Sequence, residues 1–144
     1  APTILFTKAA PACVVAATMK SIELVRKAHD RRKKLWDHAR YLQDLLRARG
    51  YEVGDTQTPI TPIRLGDSCA LHCADILRRT YGVWVSAVLY PAVRRGNGII
   101  RVIPTALHQH SDIDFLVDSL DAARTEFRAR DASRAASLAE AVEK

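Results

Sequence analysis

The segment RRGNGIIRVIPTALHQHSDIDFLVDSL, residues 94–120, combines a turn, a strand and the start of a helix. Gly96 and Gly98 permit a tight turn, and the apolar run at residues 99–103 is typical of a strand. Residues 111–114, Ser-Asp-Ile-Asp, have the pattern of a helix cap followed by an acidic first turn. The segment therefore predicts a strand that leads into a helix reaching about Arg130.

Arg101 lies inside that apolar strand and stays charged at any working pH. Two interpretations are open from the pattern alone. In the first, the strand lies at the edge of a sheet and Arg101 points into solvent. In the second, Arg101 faces a cleft and binds a carboxylate. Arg94 and Arg95 give the preceding turn a cationic tip, which either borders a cleft or is a solvated loop. The glycines of this turn precede a strand and not a helix, so they do not form a phosphate-binding loop.

The segments before residue 94 extend the pattern. Apolar spacing predicts a helix from Pro11 to about His29 and a second one from about Asp30 to Arg49, which Gly50 ends. Three strands are predicted, at residues 51–53, 60–66 and 83–89, and Pro62 places the second of them near the edge of a sheet. A further helix is predicted to be capped by Asp67 or Ser68 and to end at Gly82. This order predicts an α+β fold in which a small, mostly antiparallel sheet carries helices on one face.

Composition narrows the possible functions. The 144 residues suit a single domain, and 48% of them are hydrophobic. Lys and Arg number 22 against 16 Asp and Glu, but the charges are mixed along helices and aromatic residues are few. We therefore expect no nucleic-acid partner, and no apolar stretch is long enough for a membrane span. Three cysteines are too few for a disulfide scaffold and favour the cytoplasm.

A few side chains are of types that occur in metal or catalytic sites, but the further residues that such a site needs are missing. Cys69, His72 and Cys73 share a predicted helix, yet no second pair at zinc-like spacing exists, so the cysteines are predicted to be core residues. Thr105 and His108 are predicted to stabilise the turn before the last helix. The sequence contains no complete catalytic set, and we predict no metal site.

Three segments in order resemble the α-oxoamine synthases. The segment ILFTKAAPACVVAA, residues 4–17, is similar to a phosphate-contacting segment of that family. Residues 31–67, RRKKLWDHARYLQDLLRARGYEVGDTQTPITPIRLGD, and residues 82–120, GVWVSAVLYPAVRRGNGIIRVIPTALHQHSDIDFLVDSL, are similar to two later blocks. The match covers residues 3–122 in collinear order.

The resemblance implies a pyridoxal-phosphate enzyme of fold type I that condenses an amino acid with an acyl-CoA or acyl-thioester, with loss of carbon dioxide. Only the C-terminal portion is matched, so the cofactor lysine belongs to a large domain that this chain lacks. The implied division is an interdomain segment and helix at 1–29, the C-terminal small domain at 30–130, and a helical or frayed tail at 131–144. The chain opens in mid-segment, which leads us to expect a fragment, inactive on its own, of a homodimeric enzyme.

The resemblance also assigns site residues. Arg101 matches the arginine that pairs with the substrate carboxylate, and Thr7 falls near the residue that reaches the cofactor phosphate of the partner subunit. No catalytic residue is implied. Because the enzymes it resembles are dimers, exposed apolar surface is expected on the first helix. Two alternatives are another fold type I enzyme, such as an aminotransferase or a lyase, and a non-catalytic assembly module.

Overall fold

A computed structural model describes residues 9–142, which form helices and strands in the predicted order. The helices are α1 (Ala12–Lys27), α2 (His29–Ala48), α3 (Asp67–Thr80) and α4 (His110–Val142). The strands are β1 (Glu52–Val53), β2 (Thr61–Arg64), β3 (Ser86–Val88) and β4 (Ile99–Val102). The third strand is shorter than the predicted 83–89, since only its centre pairs with β4.

The four strands form one antiparallel sheet in the order β1-β2-β4-β3. Paired residues of β2 and β4 alternate between the two faces, so that Thr61, Ile63, Ile100 and Val102 are buried together. The helices that supply the remaining core residues cover this face. The predicted α+β class, with a small antiparallel sheet and helices on one face, is confirmed.

The sheet order rules out one of the two interpretations of Arg101, because β4 is an inner strand and not an edge strand. Pro62 lies near an edge as predicted, since β2 is the neighbour of the edge strand β1. Pro62 is tolerated because β1 pairs only with Ile63 and Arg64, which leaves β2 without a neighbour on that side at Pro62. A residue without a backbone N–H therefore interrupts no ladder there.

One hydrophobic core holds the sheet and the helices together. Fully buried side chains come from α2, both inner strands, α3 and α4, and they include Leu42, Ile63, Leu77, Ile100 and Leu120. Removing such a side chain from water contributes about 1.5–3 kcal/mol. This core fixes the sheet against three helices and thereby fixes the side chains that the sheet presents on its other face.

Glycines end two of the helices as predicted. Gly50 and Gly82 follow α2 and α3 with φ values of 74° and 67°, in the region that glycine adopts without strain. The predicted caps of α3 are wrong, because Gly66 occupies the N-cap position and no side chain caps it. The last helix continues to Val142, well beyond its predicted end near Arg130.

The chain divides into two compact units, Ala1–Lys33 and Lys34–Lys144. In the first unit, α1 has no buried residue, and Val14, Met19, Leu24 and Val25 are all more than half exposed. The expected apolar surface on the first helix is confirmed. Among the described residues, no helix is sufficiently long and apolar to cross a membrane.

Candidate functional site

Arg101 projects from the uncovered face of the sheet. It lies between Pro62 on β2 and Ser86 on β3, and its neighbours along β4, Ile100 and Val102, are buried on the opposite face. The side chain of Arg101 is exposed. Among the side chains that the structure describes, no carboxylate lies within 4.0 Å of its guanidinium. A planar fork of N–H donors is therefore held on a rigid strand without a carboxylate partner from that part of the chain.

The turn after β4 is held between two histidines. The Nδ1 atom of His38, which is 3% exposed, lies 2.9 Å from the carbonyl oxygen of Thr105. The backbone N–H of Thr105 donates to Nδ1 of His108 over 3.0 Å, and the N–H of Leu107 donates to the Thr105 hydroxyl over 3.2 Å. The predicted structural role of Thr105 and His108 is confirmed. These bonds fix the end of the strand that carries Arg101.

The turn before β4 is also fixed by hydrogen bonds to neighbouring segments. The carbonyl oxygen of Gly98 accepts hydrogen bonds from the N–H groups of Leu65 and Gly66, at 3.1 and 3.0 Å. Asp67 accepts a bond from the N–H of Gly96 over 2.8 Å. A Cβ at Gly98 would lie 2.6 Å from the Cα of Asp67, so only glycine fits. The strand of Arg101 is thus anchored at both ends.

The cationic tip of this turn stays exposed. Arg94 and Arg95 are both solvent-accessible, and the guanidinium of Arg95 lies 4.7 Å from the ring centre of Tyr90. This contact is a cation–π interaction within the turn. The two arginines therefore extend a positive surface outward from the base that Asp67 anchors.

The cysteines of α3 belong to the core and its margin. Cys73 is fully buried and Cys69 half-buried, with their Sγ atoms 3.8 Å apart. Burial, with the neighbouring Cys69, raises the pKa of the Cys73 thiol to about 12. His72 directs a buried Nε2 towards Glu126 at 3.9 Å, beyond hydrogen-bond distance. Among the described residues, no three His, Cys, Asp or Glu side chains are placed to hold a metal ion.

Pyridoxal phosphate is held by a lysine amine in the enzymes this chain resembles, and the described residues do not fit that role. Lys20 and Lys27 are exposed and paired with Glu23, while Lys33 and Lys34 are exposed on α2. Arg101, for which the sequence predicts a substrate carboxylate as partner, is exposed on the open face of the sheet. The predicted phosphate contact, Thr7, lies outside the described residues.

The fold agrees with the comparison to known families. The family model for aminotransferases of class I and II matches residues 1–120. The chain belongs to this family.

Individual relatives within this family are acyltransferases and synthases. The chain is 35% identical over 122 residues to cysteate-C-fatty acyltransferase of Capnocytophaga ochracea, covering 83% of the chain and 29% of that protein. It is 33% identical to 8-amino-7-oxononanoate synthase of Coprothermobacter proteolyticus, covering 83% and 30%. The chain thus spans about 30% of the length of the curated relatives it matches. The predicted resemblance to the α-oxoamine synthases is confirmed.

Solved structures of serine palmitoyltransferases are similar in fold to this chain. Serine palmitoyltransferase of Sphingomonas wittichii aligns with a TM-score of 0.73 and 30% identity, covering 82% of the chain and 30% of that structure. A serine palmitoyltransferase solved with pyridoxal phosphate aligns equally well, with a TM-score of 0.73.

Sequence reasoning missed the polar contacts that surround the core. His38 reaches Thr105, the Tyr41 hydroxyl donates to Asp114 over 2.6 Å, and the Tyr51 hydroxyl donates to an oxygen of Asp121 over 2.6 Å. A signal for His38 was present, since it interrupts the apolar face of α2. The two tyrosine pairs join residues that are far apart in sequence and leave no such signal.

Proposed function

We propose that this chain is the C-terminal small domain of a pyridoxal-phosphate-dependent α-oxoamine synthase. The reaction condenses an amino acid with an acyl-CoA or acyl-thioester and releases carbon dioxide. The observation that carries the proposal is Arg101, exposed on the open face of an inner strand and without a carboxylate partner among the described residues. The acyltransferase and synthase relatives support the reaction class.

Arg101 acts as a clamp for the carboxylate of the amino-acid substrate. Its guanidinium donates two parallel N–H bonds to the two carboxylate oxygens, which fixes the orientation of the substrate as well as its position. A strand anchored at both of its turns supports this task because the clamp cannot drift by much. Arg101 transfers no proton, since a guanidinium stays charged at any working pH.

The cofactor site needs parts from outside this chain as well as Thr7. A large domain of the same protein provides the cofactor lysine, and Thr7 contacts the cofactor phosphate of the partner subunit in a homodimer. When bound, pyridoxal phosphate acts as an electron sink for the substrate α-carbon. The exposed apolar residues of α1 are consistent with a surface that other parts of such an assembly cover. The sparse cysteines favour the cytoplasm as the location.

The test replaces Arg101 in the full-length enzyme. Arg101→Ala is expected to lower kcat/KM for the amino acid by about tenfold or more, which is the loss of a charge-assisted clamp. Arg101→Lys keeps the charge but loses the planar fork, so its kcat/KM should fall between those of the parent and of Arg101→Ala. The KM for the acyl donor should change little, because the clamp does not contact it.

Arg47→Ala provides the matched control. Arg47 is exposed on α2 and forms a surface pair with Asp44 at 3.3 Å, so its loss should change kcat/KM less than twofold. Equal effects of the two alanine variants on kcat/KM would contradict the proposed role of Arg101 as the carboxylate clamp. Thermal unfolding of each variant shows whether a loss of activity reflects a loss of fold.

A second enzyme class uses the same arginine for the same carboxylate. The family model covers aminotransferases, so a transamination is the alternative. The two reactions differ in their products: a synthase releases a free thiol from the acyl donor, whereas an aminotransferase consumes an oxo acid. Thiol release that depends on the amino acid supports the synthase, and its absence together with oxo-acid consumption supports the aminotransferase.

A further inference from the structure

A pocket of about 490 Å³ opens between the end of β2 and the middle of α4. Arg64 enters it from β2, and Arg124 and Arg128 enter it from α4. The two arginines of α4 are four residues apart and therefore share one face of the helix. Three guanidinium groups from two different elements thus surround one open space.

The charge of this pocket is strongly positive. Glu52 is the one acidic residue among the described lining residues, and it already pairs with Arg64 over 2.6 Å. Neither Arg124 nor Arg128 has a carboxylate within 4.0 Å among the side chains that the structure describes. Two guanidinium groups are therefore available for an anion without breaking an existing ion pair.

The position of Arg124 is fixed in advance. Its guanidinium lies 4.8 Å from the ring centre of Tyr51, and Tyr51 is itself 5% exposed and hydrogen-bonded to Asp121. A cation that rests on a buried ring loses little freedom when it binds a ligand. This contact distinguishes Arg124 from an arginine that moves freely on the surface.

The rest of the lining suits a ligand larger than a simple ion. Phe127 of α4 contributes a half-buried aromatic ring to the lining. Gly66 and Gly96 line the opposite side, where the absence of Cβ atoms leaves the backbone accessible. An apolar surface beside several guanidinium groups suits an organic phosphate more than a carboxylate, because a phosphate accepts several charge-assisted bonds at once.

We propose that the pocket formed by Arg64, Arg124, Arg128 and Phe127 binds a phosphate-bearing anion. The phosphate group contacts Arg124 and Arg128, with Arg64 at the rim, and any organic portion rests on Phe127. The pocket does not include Arg101, and the proposal does not depend on the reaction assigned above.

The test measures binding of inorganic pyrophosphate and of ADP to the full-length protein by calorimetry. Both probes are expected to bind saturably, and Arg128→Gln should weaken the Kd about tenfold, the loss of one charge-assisted contact. Arg124→Gln should weaken it at least as much. Arg128→Lys should restore part of the affinity because it returns the charge without the fork.

Arg130→Gln is the matched control, since Arg130 lies on the same helix and lines a different pocket. It should change the Kd less than twofold. Equal losses in Arg130→Gln and Arg128→Gln, or no saturable binding of either probe, would overturn the proposal. Tighter binding of ADP than of pyrophosphate assigns the site to a nucleotide, whereas equal binding assigns it to the phosphate group; both results support a phosphate site.

Discussion

The imidazole of His38 lies 2.9 Å from the carbonyl oxygen of Thr105, so that a helix near the start of the fold holds the turn that follows its central strand. Because a carbonyl oxygen only accepts, Nδ1 of His38 carries the hydrogen. On the other side of the same peptide segment, Nδ1 of His108 accepts a bond from the Thr105 N–H, so its hydrogen lies on Nε2. The two histidines thus have opposite tautomers, each set by one backbone group of Thr105.

Replacing His38 by alanine should lower the free energy of unfolding by about 2 kcal/mol, because the hydrogen bond from the buried imidazole to Thr105 is lost and a cavity remains. Denaturant unfolding measures this loss. His29→Ala is the control, since His29 is exposed and bonds only locally to Arg32. Its effect should stay below about 0.5 kcal/mol. Equal effects of the two variants would contradict the role of His38.

Stability should fall as the pH rises above about 10. Burial, and then the hydrogen bond to Asp121, raise the pKa of Tyr51 well above its usual value. The unfolded chain therefore loses this proton first, and the folded state binds more protons over that range. The stabilisation is fully present below pH 10 and decreases at higher pH by at most about 1.4 kcal/mol per pH unit.

Urea unfolding of Tyr51→Phe at pH 8 to 11 checks this pH dependence. The variant should show a shallower decline than the parent, because it lacks the titrating hydroxyl. Tyr90→Phe is the control, since Tyr90 is 58% exposed. Parallel curves for the parent and Tyr51→Phe would show that Tyr51 does not contribute.

Alanine at Gly98 should destabilise the fold by about 2 kcal/mol. The added Cβ would lie 2.6 Å from the Cα and 2.8 Å from the N of Asp67, and backbone atoms cannot yield as a flexible side chain does. Gly54→Ala is the matched control, because its Cβ would meet only Pro62 at an ordinary 3.5 Å. Thermal unfolding of both variants should show a large shift for position 98 and little change for position 54.

The thiol of Cys73 should resist alkylation in the folded state. It is fully buried, and its pKa is raised to about 12, so that almost no thiolate is present at pH 8. Mass spectrometry after iodoacetamide treatment should find Cys69 modified before Cys73. Modification of Cys73 should become rapid in urea. Equal rates for both cysteines without denaturant would show that the α3 region opens readily.

Local patterns predicted most of the elements. Glycines at positions 50 and 82 ended helices where positive φ values were needed, and the alternation in β2 indicated a half-buried strand. Strand order was harder, because neighbouring strands in the chain are not always neighbours in the sheet. Pro62 indicated a strand near an edge, and β2 does lie beside the edge strand β1, which is too short to pair with Pro62.

The candidate site was predictable in part. Arg101 was predicted as a site residue because a charge inside an apolar run is unusual. Its side chain is exposed because side chains alternate along β4, where Ile100 and Val102 are buried on the other face. The pocket of Arg64, Arg124 and Arg128 gave no signal, because these residues come together only through the packing of α4 against the sheet. Contacts between distant segments require the tertiary structure, since no local spacing encodes them.

The pairing of β2 with β4 has a consequence for how the chain reaches its folded state. Ile63 pairs with Ile100, while α3 and β3 lie between them in sequence. During synthesis, β2 leaves the ribosome well before its central partner exists, so its inner edge stays unpaired until residues 99–102 have emerged. Closing this long loop costs entropy before any ladder bond forms. Formation of the sheet centre is therefore a late step, and refolding should be slower than for a sheet built from hairpins alone.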